Sequence, residues 1–482
     1  TFTYRPVLWS YAVGVVVTVT AAYVPARRAA RIPPVAAMRD DVAMPPRSLR
    51  IRLIAGSVVT AAGAVLSGLG LGGAPIALLG AGAALVFAGV AMLAPVIGRP
   101  VVRVLGAAYP RLFGTPGRLA TKNALRNPRR TAATASALMI GLALVSAINV
   151  MSSSAKASVA GQVDEVFAAD YMVTPVSGVS DPAEAAGAVR AVPGVELVTA
   201  AYQGRFKVGT HAQSFLATER PADLVRATRL SLRSGSADLG RDGLLLDQPT
   251  ATSAKVGVGS VVTARFADGG TERLRVAGVY AKNQLLGPRV LALPAYRAHA
   301  AHPAGLGLMI NTARAGAATK GAIERALGGH PSLKVQDRSD VKQDAQHSID
   351  QFVTLLTVLL TLSIIIAALG IINTLALSVI ERTREIGLLR AVGTSRRQTR
   401  RMIRLESVVI AVFGGLLGIA IGVVFGIAVQ HAVADRGLDV LSVPVPTLVA
   451  YVVLSAVIGV LAAVWPAWRA SRLDVLKAIS FE

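Results

Sequence analysis

The residues best suited to chemistry by type and spacing lie in one short charged stretch, Glu381-Arg382-Thr383-Arg384-Glu385-Ile386-Gly387-Leu388-Leu389-Arg390-Ala391-Val392-Gly393. Helical spacing places Leu388, Leu389 and Val392 on one apolar face, with Glu385 one turn earlier. Gly393 is placed to end that helix, and Ser395 with Gln398 fits a capping box starting a second, basic helix. The chemistry of such a turn is recognition: its apolar face either rests on lipid or docks into a partner. Reactive groups are scarce elsewhere. Cysteine is absent, which excludes thiol nucleophiles, Cys-ligated zinc and iron–sulfur clusters. His299 and His302 could share a helix face, but no carboxylate at ligand spacing supports a metal there. There is no Gly-x-Ser-x-Gly elbow and no carboxylate pair that reads as an acid and a base. No Gly-Lys pair occurs, so the chain cannot cradle nucleotide phosphates through a P-loop. No catalytic residue and no metal site is expected.

The elements that must position the charged stretch are long apolar runs. The 482 residues are 53% hydrophobic and only 16% charged, against about 25% charged in a soluble domain. Mean hydropathy is +0.55. Seven segments approach or exceed the length needed to cross a bilayer, near Val7–Val24, Leu53–Leu71, Pro75–Ile97, Thr131–Met151, Phe352–Ile380, Ser407–Val429 and Leu448–Trp465. None carries Asp, Glu, Lys or Arg within its apolar run. Arg5 and Ala21-Ala22 give the first some features of a signal peptide, but its basic tail recurs after the last run. The expected fold is a membrane α-helical protein with seven transmembrane helices and one α+β extracytoplasmic domain.

Charge sets the orientation. The net charge is +23, yet the basic residues flank spans and lack interleaved aromatics, so nucleic acid is not an expected partner. Outside the long insert, one side of the membrane holds 26 Lys and Arg and the other only Arg5 and Arg436. The positive-inside rule places the 26 in the cytoplasm and the insert outside. Contact with anionic lipid heads accounts for most of the Arg clusters.

The tail Pro25-Ala26-Arg27-Arg28-Ala29-Ala30-Arg31-Ile32 recurs as Pro466-Ala467-Trp468-Arg469-Ala470-Ser471-Arg472-Leu473, with five of eight positions identical. Such recurrence marks a duplicated bundle. The sequence starts at Thr1 rather than Met, and the expectation is a chain opening at the last span of a first unit. Within the second unit Gly414, Gly418, Gly422 and Gly426 form a stripe for close helix packing. The insert reads as α+β: helices at 181–190 and 317–327, and a hairpin of 258–266 with 273–280 around Asp268-Gly269-Gly270. Residues 335–350 are charged and run into the span at Phe352 as a helical stalk.

The motif Glu-Arg-x-Arg-Glu-Ile-Gly-Leu-Leu-Arg-Ala-Val-Gly at 381–393 resembles the signature of FtsX-like ABC transporter permeases, the group that includes macrolide-exporter and lipoprotein-release permeases. Leu119-Ala120-Thr121-Lys122-Asn123-Ala124-Leu125-Arg126-Asn127-Pro128-Arg129-Arg130-Thr131 resembles the amphipathic start of that family's repeat, and Pro466-Ala467-Trp468-Arg469-Ala470 its close. The resemblance covers 119–482 as one full unit and 1–31 as the end of another. It implies this organisation: 1–26 a last span, 27–51 a cytoplasmic loop, 52–98 two linker spans, 99–130 a cytoplasmic amphipathic segment, 131–151 a span, 152–347 an extracytoplasmic domain with stalk, and 348–482 three spans carrying a coupling segment at 381–404. It also implies a mechanotransmission machine in the bacterial cell membrane, driven by a cytoplasmic P-loop ABC ATPase homodimer. ATP and Mg would sit on that partner, with no cofactor in this chain. Glu381, Arg382, Glu385, Gly387, Leu388, Arg390 and Gly393 would meet the ATPase. The alternative is a signalling or regulatory membrane protein of the same fold, acting on a cell-wall hydrolase or reporting an antibiotic. A secondary transporter is disfavoured, because the spans lack ionisable residues. Any extracytoplasmic partner or substrate is left open.

Overall fold

A bilayer offers no water to backbone N–H and C=O groups, so long apolar runs bond internally as helices. The computed structural model describes residues 4–30, 47–72, 75–126, 128–166, 169–175, 182–283, 286–328, 332–434 and 437–473. The end of the first basic repeat, the rest of the loop to residue 46, Asp181 and the tail from residue 474 lie outside the described residues. The chain divides into two units, 1–55 and 56–482. The first holds α1 (Tyr4–Ala29) and the start of α2 (Arg47–Leu71). The second completes α2 and continues with α3 (Ile76–Gly106), α4 (Tyr109–Arg126) and α5 (Pro128–Val166). Gly114, at φ +60°, breaks α4 into two pieces.

An α+β domain follows: β1 (Tyr171–Pro175), α6 (Pro182–Arg190), β2 (Val195–Val208), β3 (His211–Thr218), α7 (Pro221–Ala227), β4 (Leu232–Gly235), β5 (Gly243–Asp247), α8 (Gln248–Ala254), β6 (Val261–Arg265), β7 (Thr271–Tyr280), β8 (Arg289–Ala292), α9 (Leu293–Arg297), β9 (Ala304–Thr312), α10 (Ala317–Ala326) and β10 (Leu333–Asp337). The sheet runs β10-β1-β9-β2-β3-β8-β5-β7-β4, and β6 pairs with both β7 and β2. That last pairing, Lys207 opposite Arg265, closes β2, β3, β8, β5, β7 and β6 into a small barrel. Strand β2 is long enough to serve two bodies: Val195–Gln203 pairs with β9, and Ala201–Val208 pairs with β3. Phe206, Phe215 and Phe266 pack together inside the barrel, with Phe206 and Phe215 stacked at 5.1 Å. The hairpin β6–β7 turns through Asp268-Gly269-Gly270, where Gly269 takes φ +86° and the Gly270 N–H donates to Asp268 Oδ1.

The chain then returns through α11 (Arg338–Glu381), α12 (Thr383–Ala391), α13 (Arg396–Val433) and α14 (Val445–Ser471). Helix α11 is 44 residues long and starts on a capping box of Asp337 and Asp340. Stalk and span are thus one uninterrupted rod. Its partner α5 also runs beyond its apolar portion, and the two are joined outside the apolar region by ion pairs Lys156–Asp350 and Lys342–Asp164. Along the membrane stretch of α11, Phe352, Leu355, Leu359, Leu362 and Ile366 are exposed as a lipid-facing surface, while Ala367, Ile371 and Leu375 are buried. At the opposite end Arg469 lies over Trp465 and Arg472 over Trp468, a pairing that suits the headgroup level.

Six described helices are long and apolar enough to span. The first apolar run lies within α1, whose described apolar stretch is Val7–Tyr23. The multi-pass membrane protein with an extracytoplasmic α+β domain therefore stands, and the seventh expected run is helical as α1.

Past its apolar run α5 presents Ser154, Ser158 and Gln162 at every fourth position, and the segment between α13 and α14 lies along them. The Ser442 N–H donates to Ser154 Oγ at 3.0 Å, and that hydroxyl donates back to the Ser442 carbonyl. Ser158 treats Val440 in the same way, and Gln162 donates to the Gly437 carbonyl. Each hydroxyl meets both hydrogen-bonding groups of one residue, as a neighbouring strand would.

The absence of cysteine makes the topology directly testable. Asp268→Cys, in the exposed hairpin turn, should react with an impermeant maleimide in intact cells, and Ser395→Cys only after permeabilisation. The reverse pattern would overturn the orientation.

Candidate functional site

Three elements meet where the spans end on the basic side: α4, the α11–α12 junction and the start of α13. Residue spacing places Leu388, Leu389 and Val392 together, but α12 separates them, because adjacent helical residues diverge by about 100°. Ile386 and Gly387 are buried, with Ile386 in a core that includes Leu138, Ile371, Leu375, Met402 and Ile403. Leu389 is half-buried, Leu388 is 49% exposed and Val392 is 88% exposed. The outward face is therefore Leu388 with Val392, one turn apart. Gly387 is buried within the chain. Gly393 ends the helix at φ +107°, a conformation that suits glycine. Ser395 and Gln398 form both arms of the capping box that starts α13.

Ion pairs fix α12 in place. Arg126 of α4 donates to Glu385 at 2.6 Å, and Arg382 donates to the same carboxylate at 3.0 Å. Arg130 of α5 pairs with Glu381, the last residue of α11, at 3.0 Å, and Arg390 of α12 donates to the Leu473 carbonyl beyond α14. Burial opposes ionisation of Glu385, but the hydrogen bonds from Arg382 and Arg126 outweigh it and hold the carboxyl below its ordinary range. Of the coupling residues expected from sequence, Glu381, Arg382, Glu385 and Arg390 thus bond within the chain, and Leu388 faces outward.

Glu406 completes the site and is not singled out by the sequence pattern, since it sits one residue before the apolar run at Ser407 and reads as a flanking charge. It is 3% exposed. Its Oε2 lies 3.5 Å from Asn123 Nδ2 and 3.6 Å from Arg382 Nη1. The available signal was its place on the apolar face of α13, at helical spacing from Met402, Ile403, Val409, Ile410 and Phe413, all buried.

The glycine stripe of α13 lies against α5. A Cβ would stand 2.5 Å from the Ala135 carbonyl oxygen at Gly414, 2.4 Å from that of Met139 at Gly418, and 2.3 Å from that of Ala143 at Gly422. At Gly426 it would meet the Val150 side chain at 2.8 Å. The two backbones leave no room for side chains between them.

In the extracytoplasmic domain His299 stacks on Phe266 at 4.3 Å and bridges Asp268 and Glu272, with each ring nitrogen 2.9 Å from a carboxylate. His302 does not join it in these contacts. Among the described residues no group of three His, Cys, Asp or Glu is placed to hold a metal. Burial alone would lower the imidazole pKa, but the hydrogen bonds to Asp268 and Glu272 outweigh it and raise the value.

The family model for the FtsX-like permease C-terminal matches residues 357–475, and that for the MacB-like periplasmic core domain matches residues 131–327. The macrolide export ATP-binding/permease protein MacB of Bdellovibrio bacteriovorus is 33% identical over 156 residues, covering 31% of this chain and 23% of that protein. An ABC transporter permease protein of Mycobacterium tuberculosis is 23% identical over 414 residues, covering 81% of this chain and 48% of that protein. The chain thus spans between about a quarter and a half of the length of these relatives. Among solved structures, the periplasmic region of MacB from Actinobacillus actinomycetemcomitans aligns at TM-score 0.30 and 15% identity, over 38% of this chain and 94% of that one.

Two outcomes follow from this geometry. Gly418→Leu should destabilise the chain by about 1–3 kcal/mol, whereas Gly370→Leu, at an α11 position with open space around it, should be neutral; thermal unfolding in detergent compares them. A raised imidazole pKa contributes stability that is complete below the unfolded value of about 6.5 and is lost as pH rises through the folded value. Unfolding of the extracytoplasmic domain within the full chain should therefore fall by roughly a few degrees from acid to alkaline pH. His299→Gln should flatten that dependence.

Proposed function

The chain belongs to the FtsX-like permease family, and from that premise we propose that it is the permease of an ATP-driven ABC transporter of the mechanotransmission kind. ATP hydrolysis by a partner ATPase moves the extracytoplasmic domain, and the substrate is exported or extracted without having to cross this chain's spans. The observation that carries the reading is the pair Leu388 and Val392, apolar and exposed on a helix whose other face is fastened by ion pairs and core packing. An exposed apolar pair on an immobilised helix suits docking into a partner's pocket. The partner is a cytoplasmic P-loop ATPase, in two copies, which brings ATP and Mg; this chain brings no phosphate-binding loop of its own. Force on α12 passes at Arg382 into α11, which reaches β10 of the extracytoplasmic domain without a break.

Leu388→Asp and Val392→Asp should leave insertion and folding intact, because both positions are exposed. Either should place a carboxylate in the partner's apolar pocket and weaken association about 100-fold. Glu385→Lys should act differently, by repelling Arg126 and Arg382 and releasing α12. Co-purification of the ATPase and stimulation of its hydrolysis measure all three. Wild-type association and stimulation in both Asp variants would remove the coupling role.

A further inference from the structure

A carboxylate buried at the foot of an apolar helix is costly unless it is paired, and a leucine of similar size would pack there without that penalty. Glu406 is such a group, and its surroundings show what it holds. Arg382 is both the residue that closes α11 and the residue that precedes the first turn of α12. Its guanidinium reaches Glu406 through Nη1 and Glu385 through Nε. Glu385 is held in turn by Arg126, and Glu406 by Asn123. Asn123 and Arg126 are one turn apart on α4. The contacts therefore form a closed ring that begins and ends on α4 and passes through α12, the α11–α12 junction and α13.

We propose that Glu406 is the positioning residue of α12: by anchoring the Arg382 guanidinium to α13, it sets the direction in which α12 leaves α11 and so the presentation of Leu388 and Val392. This rests on the coupling role proposed for α12. Without Glu406 the ring opens: Arg382 loses its hold on α13, and α12, still tied to α4 through Glu385–Arg126 and seated by Ile386, gains play at the junction. With Glu406 in place, a load on α12 enters α13 as well as α11, and α13 passes it to α5 through the glycine stripe.

Two spin labels test this in the full, cysteine-free chain, one at Arg118→Cys on α4 and one at Val392→Cys on α12, both exposed positions. Without the ATPase, the parent should give one narrow distance distribution. Glu406→Gln should broaden it with helical content by circular dichroism unchanged, and Arg382→Lys should broaden it less. Glu406→Leu fills the site with an apolar side chain and covers the case in which Glu406→Gln does not fold. In unlabelled chain with its ATPase, Glu406→Gln should lower stimulated hydrolysis about tenfold or more. A distribution as narrow in Glu406→Gln and Glu406→Leu as in the parent overturns the proposal, whatever the ATPase does. A broadened distribution, with no stimulation by the parent chain, supports the positioning role and overturns the coupling reading instead.

Discussion

The close approach of α5 and α13 is the contact on which the membrane part of the second unit depends. Apolar side chains gain little by leaving lipid for each other, so helices in a bilayer associate through packing and polar contacts. Glycines at every fourth position of α13 let its backbone meet the carbonyl oxygens of Ala135, Met139 and Ala143. This seam carries α3 and α4 on one side, where Ala94, Val102 and Ala124 pack with Val409 and Phe413, and α14 and α11 on the other, where Ile458, Ala462 and Ala367 are buried with Leu138 and Leu142. Helix α11 has the least cover of these helices and faces lipid along most of its length.

Both ends of the seam are polar. On the basic side, charged groups pair across elements: Arg126 with Glu385, Arg130 with Glu381, Arg382 with Glu406. Exposed members of such a set contribute little each, about 0–1 kcal/mol. Arg382 and Glu406 differ because both are largely removed from solvent, at 16% and 5% side-chain exposure, so loss of one leaves the other without its counter-charge. On the outer side, neutral hydroxyls and amides bond a backbone. These outer hydrogen bonds hardly respond to salt, while the ion pairs Lys156–Asp350 and Lys342–Asp164 tie α5 to α11 at the same end.

Much of this was legible in the residues. Apolar runs give the helices, because their length against a bilayer is a one-dimensional quantity. The capping box of Ser395 and Gln398, the stop at Gly393 and the turn at Asp268-Gly269-Gly270 depend on neighbours within a few residues and read directly. The closure of the barrel does not, since it depends on Lys207 meeting Arg265 across the fold. Glu406 escapes for a similar reason: a carboxylate beside a span looks solvated until Asn123, 283 positions away, is brought to it. Even the apolar face of α12 divides between core and surface, and only the tertiary packing of Ile386 decides which residues turn inward.

The serine ladder on α5 gives the segment it holds an unusual relation between sequence and structure. Ser154 and Ser158 grip peptide groups, not side chains, of Ser442 and Val440. These bonds ask only that neither gripped residue be proline, which has no N–H to offer; the Ser442 hydroxyl is engaged separately, by Ser153 Oγ at 2.8 Å. The gripping residues are more constrained: alanine at either position leaves an N–H and a C=O without their partner. Amide hydrogens at Val440 and Ser442 should also exchange slowly for a segment outside any helix or strand, at a pace set by the opening of α5 and not of their own backbone.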